Sequence, residues 1–425
     1  MIKKNYFNTF YSTICVVATC LVGICRCFKF NNIYVLIACI GLVTVCLFFK
    51  HRISITVYDI IIFLLPFIVF FHKYETYYWS PCFFYLLACL AFFTFRTEKN
   101  INTVLKTLAA FSLLNILVNI INIINPGIYT NIITLLLNKS SIESNLLYYK
   151  TFGYMSGLSD HYSRNAYYCV LGGTIFAANY FANHKKKMLF AALAILEIAM
   201  IMVIGKRGHL LFVVAAVMIT YILMAPDISK KLLNFLRIFS LLFIVLGFLI
   251  EFVPAVSFVI ERMLSLQAFG DVSNGRIVLW KLAIDAFKEK PVFGWGYGYF
   301  NSTFVNEWQK VNYAGVHNDY LQWLCEIGII GFIPNIIITI GIYRISIKEL
   351  KAIVGKNKRT GSLEQVMIIW SVIFQTFIIL YSFTGLPHFD YEINVVYYLS
   401  LAVPMILLKK TVCSDIKVWR KTLKW

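Results

Sequence analysis

Residues 188–225 read MLFAALAILEIAMIMVIGKRGHLLFVVAAVMITYILMA. Two apolar runs, 188–205 and 208–225, are separated only by the charged pair Lys206 and Arg207. Each run is long enough to cross a bilayer as a helix, which takes about 17–25 apolar residues. The runs are continuous, so they lack the alternating pattern of a membrane β-barrel strand. This stretch therefore predicts two membrane-spanning helices joined by a very short turn.

The same pattern recurs along the whole chain of 425 residues, of which 60% are hydrophobic. Only 14% of the residues are charged, against about 25% in a typical soluble domain. We therefore predict an all-α fold, a polytopic helical membrane protein with about twelve transmembrane helices that form one integral membrane domain over residues 1–425. The predicted spans are residues 8–26, 31–49, 54–72, 78–95, 101–124, 165–183, 188–205, 208–225, 236–256, 326–345, 365–384 and 391–408.

The short loops between these spans carry a charge pattern that sets the orientation. If the N-terminus is cytoplasmic, every short cytoplasmic loop is basic, for example at Lys50 and Arg52 and at residues 185–187. This positive-inside pattern explains the net charge of +19 without a nucleic-acid partner. We expect cytoplasmic N- and C-termini, contact with membrane lipids and no nucleic acid.

Two loops on the opposite side are long, residues 125–164 and residues 257–325, and long loops in a compact protein are usually functional. The second loop is polar and rich in glycine, with the sequence Gly-Trp-Gly-Tyr-Gly at 294–298. We predict that it carries short amphipathic helices and the catalytic segment. One such helix has Asn274 as its N-cap, begins near Arg276 and stops before Pro291.

Two residues of the long second loop are the candidate catalytic residues, Arg276 and His317. A guanidinium in the first turn of a helix, beside the free backbone amides, is well suited to bind an anion. A histidine at the mouth of a span can accept or donate a proton near neutral pH. On a helix, His317 would share a face with Leu321, Leu324 and Gly328.

Other cations are predicted on the same side of the membrane. Arg164, Arg207 and Arg276 together could bind a diphosphate through bidentate hydrogen bonds. Because arginine does not titrate, it can stabilise a leaving diphosphate without a metal ion. The sequence has no D-x-D motif, which argues against a metal–nucleotide-sugar site, and we expect no metal and no cofactor. The remaining predicted substrate-binding residues are Lys206, Asn318, Asp319 and Tyr297, and Asp319 is also the alternative base.

The segment that follows His317 resembles the bacterial O-antigen ligase and O-antigen polymerase family. The ligase pattern is a histidine, then Asn, Ser or Gln, nine residues, Gly, two residues, and Gly, Thr or Tyr. Here it is matched by His317, Asn318, Gly328 and Gly331. A second ligase pattern, an arginine followed by three residues and a leucine, is matched by Arg207 and Leu211. The resemblance also covers the twelve-span layout and the large late loop.

This resemblance implies a metal-independent, inverting membrane glycosyltransferase of the bacterial inner (plasma) membrane with a periplasmic active site. The implied donor is an undecaprenyl diphosphate-linked glycan, and the implied acceptor is lipid A–core in a ligase or a lipid-linked glycan in a polymerase. Paired motifs of an arginine, ten residues and a glycine, which some polymerases carry, are absent here, and their absence mildly favours the ligase. Ile175, Met218 and Phe287 stand at the glycine positions that would follow Arg164, Arg207 and Arg276.

The expected mechanism is attack of an acceptor hydroxyl on the anomeric carbon while the arginines hold the diphosphate. His317 would take the hydroxyl proton or orient the acceptor. A polysaccharide flippase is the rival class, and it should carry charged residues deep in several spans. Few charges lie within the predicted spans, chiefly Lys106, Glu197 and Glu251, which favours the transferase.

Overall fold

The structure is a computed structural model, and it describes residues 2–48, 55–182, 185–225, 275–303, 305–306, 311–312, 315–355 and 361–422, with isolated positions between 227 and 240. Its described part is helical except for one short β-hairpin. The helices are α1 Ile2–Ile24, α2 Ile33–Phe48, α3 Val57–Phe71, α4 Ser80–Thr94, α5 Glu98–Ile124, α6 Pro126–Leu136, α7 Lys139–Phe152, α8 Tyr162–Phe181, α9 Lys187–Ile204, α10 Arg207–Leu223, α11 Arg276–Glu289, α12 Tyr299–Thr303, α13 Asp319–Gly355, α14 Leu363–Tyr381 and α15 Tyr391–Thr422. The hairpin pairs β1 Val305–Asn306 antiparallel with β2 Val311–Asn312.

The predicted spans coincide with helices, with two exceptions. Residues 236–256 lie almost wholly outside the described residues, and α13 begins seven residues before the predicted span at 326. Within the described residues, five helices are long and apolar enough to cross a membrane, namely α5, α9, α13, α14 and α15. Five further apolar helices are shorter, so this criterion confirms a helical membrane protein but not the number of about twelve spans.

Helix α14 lies at the centre of the bundle. Its Trp370, Phe374 and Phe377 side chains are fully buried, and it packs against α5, α8, α10, α13 and α15. A helix that is apolar and buried on all sides is typical of the core of a helical membrane protein. Helices α3 and α9 instead leave large side chains such as Phe63 and Ile195 exposed, where a bilayer would cover them.

The loops that were predicted on the outer side meet at one end of the bundle, which we call the site end. The loop after α3 pairs with the glycine-rich turn, since the Tyr74 amide donates to the Tyr297 carbonyl at 3.0 Å. At the other end, Arg96 forms an ion pair of 2.5 Å with Asp59. The long loop 125–164 forms α6 and α7, and the described part of loop 257–325 contains α11, α12 and the hairpin.

Candidate functional site

The glycine-rich turn at 294–298 docks into a break in α13. The helical geometry of α13 is interrupted at Gly328, whose φ is 59° and ψ −167°. Four backbone hydrogen bonds of 2.8–3.2 Å join the two segments. The amides of Trp295 and Gly296 donate to the carbonyls of Cys325 and Glu326. In the other direction, the amides of Ile329 and Ile330 donate to the carbonyls of Pro291 and Val292. The turn therefore ties the end of α11 to the start of α13.

This close approach of two backbones requires glycine at two positions. A Cβ atom on Gly328 would lie 2.3 Å from the carbonyl oxygen of Val292, and one on Gly294 would lie 2.5 Å from the carbonyl oxygen of Glu326. Both glycines also have positive φ, a region that other residues rarely adopt. Gly328, the first glycine of the predicted ligase pattern, thus has a packing role that fixes α11 relative to the His317 segment.

His317 stands just before α13 rather than on it. Its φ angle is 55°, and among the residues that the structure describes no other non-glycine residue has a positive φ. The predicted helical face shared with Leu321, Leu324 and Gly328 is therefore wrong, because α13 begins at Asp319 and breaks at Gly328. A strained backbone of this kind persists only where its surroundings hold it in place, and such residues concentrate at functional sites.

The surroundings that hold His317 are the next two residues. The Asn318 side chain caps α13 by accepting from the Leu321 amide at 3.1 Å and donates to the Phe383 carbonyl at 3.2 Å. The Asp319 amide donates to the Ser382 carbonyl at 2.9 Å. The structure thus gives Asn318 a capping and anchoring role in place of the predicted substrate contact.

The carboxylate of Asp319 is fully buried and fixes the loop between α14 and α15. Its Oδ2 atom lies 2.7 Å from Nδ1 of His388 and accepts from the Ser382 hydroxyl at 2.8 Å and the His388 amide at 3.2 Å. The His388 ring is in turn enclosed by Trp323 and Tyr397. Asp319 is therefore a positioning residue here, and its roles as substrate ligand and alternative base stay predictions.

Arg276 is the first residue of α11, as predicted. The N-cap is Gly275 in the left-handed conformation, with φ 77°, whereas the predicted N-cap Asn274 lies outside the described residues. The helix ends at Glu289, two residues before Pro291, as predicted. Arg276 is half-buried at this helix start.

The turn between α9 and α10 presents Lys206 to the site rather than Arg207. The Lys206 ammonium lies 3.9 Å from the centre of the Tyr162 ring, and Lys206 is half-buried. The positive charge of Lys206 lowers the pKa of His317, and the positive charge of Arg276 lowers the pKa of both residues. Arg207 is exposed at the start of α10. We call Lys206, Arg276 and His317 the cation cluster.

The protonation of two members of the cation cluster, His317 and Lys206, depends on their burial and on the positive charges beside them. Burial, and then the positive charges of Arg276 and Lys206, lower the pKa of His317 to about 3. Burial and the charge of Arg276 also lower the pKa of Lys206 to about 7, and the carboxylate of Asp390 opposes that decrease. At neutral pH, His317 is therefore neutral and Lys206 is divided between its two forms.

Arg164 is paired with carboxylates. It forms an ion pair with Asp160, four residues earlier in the chain, and its Nε lies 3.2 Å from the buried carboxylate of Glu392. Arg164 therefore joins α8 to α15 and stabilises the site end. These ion pairs leave further N–H donors on the guanidinium, so its contact with a diphosphate stays a prediction.

Tyr297 is also a packing residue. It is 3% exposed, and its ring stacks on Phe389 at 5.5 Å and meets Tyr77 edge-on at 5.8 Å. A sugar would need an accessible ring face, so we exclude Tyr297 from the substrate site. Trp295 and Tyr299 likewise stack on each other at 4.9 Å.

Two residues near the cation cluster were missed from the sequence, His388 and Asp390. Asp390 lies close enough for its charge to act on Lys206 and on Tyr381. Burial raises the pKa of Asp390, Arg164 opposes this, and the other carboxylates nearby add to it. The signal for both was present, because polar and acidic residues at a span boundary are costly unless they have partners.

Residues 190–336 match the family model described as O-Antigen ligase. This range includes all three members of the cation cluster, whereas Arg164 and Asp390 lie outside it. A comparison with curated proteins found no match. The family match confirms the predicted resemblance, and it indicates a function of the ligase or polymerase type in general.

Proposed function

We propose that this O-antigen ligase-like membrane protein transfers a glycan from undecaprenyl diphosphate to lipid A–core at the periplasmic face of the inner membrane. The observation that carries the proposal is the cation cluster. Its members come from three segments that are distant in sequence, they meet at one end of a helical bundle, and all fall within the matched range. A lipid-linked diphosphate is an anion that is anchored in the membrane, so it can reach such a site from the membrane surface.

Arg276 and Lys206 are the proposed ligands of the diphosphate. The planar guanidinium can donate two parallel hydrogen bonds to phosphate oxygens. Lys206 supplies a compact positive charge beside them. The exposed Arg207 adds positive charge at the rim of the same turn.

In the proposed reaction the acceptor hydroxyl attacks the anomeric carbon from the side opposite the diphosphate. The new bond joins the acceptor oxygen to that carbon, and the bond from carbon to the diphosphate oxygen breaks. The bonding electrons leave with the diphosphate, so the configuration inverts. Arg276 and Lys206 stabilise the additional negative charge as it develops.

His317 is the proposed acceptor of the hydroxyl proton. In the empty site its imidazole is neutral, so a nitrogen lone pair is free to accept a proton. The negative charges of a bound diphosphate offset the neighbouring cations that hold the pKa of His317 down. His317 therefore becomes a stronger base when the donor is in place, which couples proton transfer to donor binding.

The test uses purified protein with undecaprenyl diphosphate-glycan, with and without lipid A–core. A product that forms only with lipid A–core supports the ligase. Longer lipid-linked chains without lipid A–core would instead make the protein a polymerase. Movement of the glycan across sealed proteoliposomes without bond formation would make it a flippase, and the transferase proposal would fail.

Two variants on α11 make this test specific for the cation cluster. Arg276→Ala should reduce transfer by at least about 100-fold, as removal of a preorganised group that stabilises developing charge usually does. Lys281→Ala removes an exposed cation from the same helix, so it should leave transfer unchanged. Equal losses in both variants would show that bulk positive charge, rather than the site, carries the effect.

A further inference from the structure

We infer that Lys206 is the group that changes charge when the donor binds, taking up one proton from solvent so that the diphosphate meets two full positive charges. This inference rests on the proposed function, and it adds a protonation step to the binding of the donor. It also explains why the turn between two apolar helices presents a lysine, rather than its neighbouring arginine, to the site.

The geometry confines the Lys206 ammonium to one place. Gly205 ends α9 in the left-handed conformation, with φ 82°, and α10 begins immediately at Arg207. The Lys206 carbonyl accepts the Leu210 amide at 3.1 Å, so the backbone of Lys206 is part of the first turn of α10. Its side chain lies over Tyr162 at the start of α8, half-buried beneath the surface.

The charged and titratable groups that surround this ammonium come from every element packed against it. They are Arg207 and His209 on α10, His161, Tyr162 and Arg164 at the start of α8, Arg276 on α11, His317 before α13, Tyr381 on α14, and Asp390 before α15. Among them, Arg276 acts on Lys206 most strongly as a like charge and Asp390 as an opposite charge. Repulsion and burial together favour the neutral amine in the empty site.

A bound donor reverses this balance. Each phosphate of a glycosyl diphosphate diester carries one negative charge across the neutral pH range. An opposite charge within about 4–6 Å typically raises the pKa of an amine by about 1–3. Starting from about 7, Lys206 would be about one-tenth protonated at pH 8 when the site is empty and at least half protonated when it is filled.

The sign of the pH dependence follows from these two states. Below pH 7 the ammonium is already formed, so binding takes up no proton at Lys206. Above pH 7 binding requires protonation, and affinity should fall by up to about tenfold per pH unit until the pKa of the occupied site is reached. His317 does not contribute at pH 8, because a similar increase leaves its pKa at about 6 or below. Burial raises the pKa of Asp390 to about 7, so Asp390 also takes up protons beside a bound anion, and substitution of Lys206 separates the two contributions.

The test is calorimetric titration of the full-length protein in detergent with a short-chain prenyl diphosphate sugar. Its two phosphates do not titrate near neutral pH, so any proton taken up from the buffer binds to the protein. Measuring the binding heat at pH 8 in two buffers with different ionisation enthalpies gives the number of protons taken up. The wild type should take up about 0.4–0.9 proton per bound molecule.

Two substitutions and one control separate Lys206 from its neighbours. Lys206→Arg stays charged and should lose the part of the proton uptake that belongs to Lys206, and its affinity should change less than that of the wild type between pH 7 and 9. Lys206→Met stays neutral and should bind more weakly than the wild type at pH 7, with the same loss of uptake. Lys281→Ala removes an exposed cation outside the cation cluster and should keep the uptake of the wild type.

The inference fails if the wild type binds the probe without proton uptake at pH 8, or if both Lys206 variants keep the full uptake. In that case the proposed transfer reaction would still stand on its own assay. If the wild type does not bind the probe at all and also transfers no glycan, the proposed function fails together with the inference.

Discussion

The break in α13 makes a strong prediction for Gly328→Ala. The φ and ψ angles of Gly328, 59° and −167°, fall in a region that only glycine adopts readily, and other residues there cost about 1–3 kcal/mol. The added Cβ would also lie 2.3 Å from the Val292 carbonyl oxygen and 2.7 Å from the Gly294 nitrogen, which are backbone atoms that cannot move aside locally.

The cost of this substitution can be estimated from the contacts. Separation of the two segments would break the backbone hydrogen bonds from the Ile329 and Ile330 amides, each worth about 0.5–1.5 kcal/mol. Together with the backbone strain, the expected loss in the free energy of unfolding is about 2–6 kcal/mol. Because α11 would shift relative to His317, we also expect transfer to fall by about 100-fold.

The matched control is Gly41→Ala, at a glycine within α2. A Cβ atom there would have nothing within 4 Å, and replacement of a helical glycine by alanine favours the helix by about 1 kcal/mol. Thermal unfolding in detergent and the transfer assay should therefore show a large loss for Gly328→Ala and little change for Gly41→Ala. Unchanged melting and activity in Gly328→Ala would refute the docking explanation.

Three further predictions address the positioning residues. Arg164→Ala should lower the free energy of unfolding by about 3–5 kcal/mol, because it removes the ion-pair partner of the buried Glu392 carboxylate. A variant that melts normally but no longer binds donor would instead support the predicted substrate role. Asp390→Asn should lower the pKa of Lys206, so donor affinity should begin to fall at a lower pH than in the wild type. An unchanged pH dependence of donor binding would contradict the electrostatic effect of Asp390 on Lys206. His388→Gln should weaken the hold on Asp319 and lower kcat more than donor affinity, and an unaltered kcat in steady-state kinetics would show that this contact does not position the site.

Much of the fold follows from the sequence because membrane spans depend on local hydropathy. The runs at 188–205 and 208–225 become α9 and α10 with shifts of a residue or two. Arg276 is correctly predicted at a helix start, since the apolar spacing after it and Pro291 beyond its end are both local signals.

The details of the site could not be predicted in the same way. The choice between Lys206 and Arg207 depends on where α10 begins within a two-residue turn, and helix boundaries are the least reliable part of a prediction from sequence. The partner of Arg164 is Glu392, which lies on another helix far along the chain. Likewise, His317 is displaced from α13 because Asn318 serves as the cap, a role that several polar residues nearby could have filled.

The most direct test of the account compares His317→Ala with the wild type in donor binding and in transfer, using the same purified preparations. Arg276 and Lys206 remain in this variant, so binding of the prenyl diphosphate sugar should stay close to that of the wild type. Loss of the proton acceptor should reduce the rate of glycan transfer by about 100- to 10,000-fold. Transfer at a rate near that of the wild type would contradict the proposed role of His317.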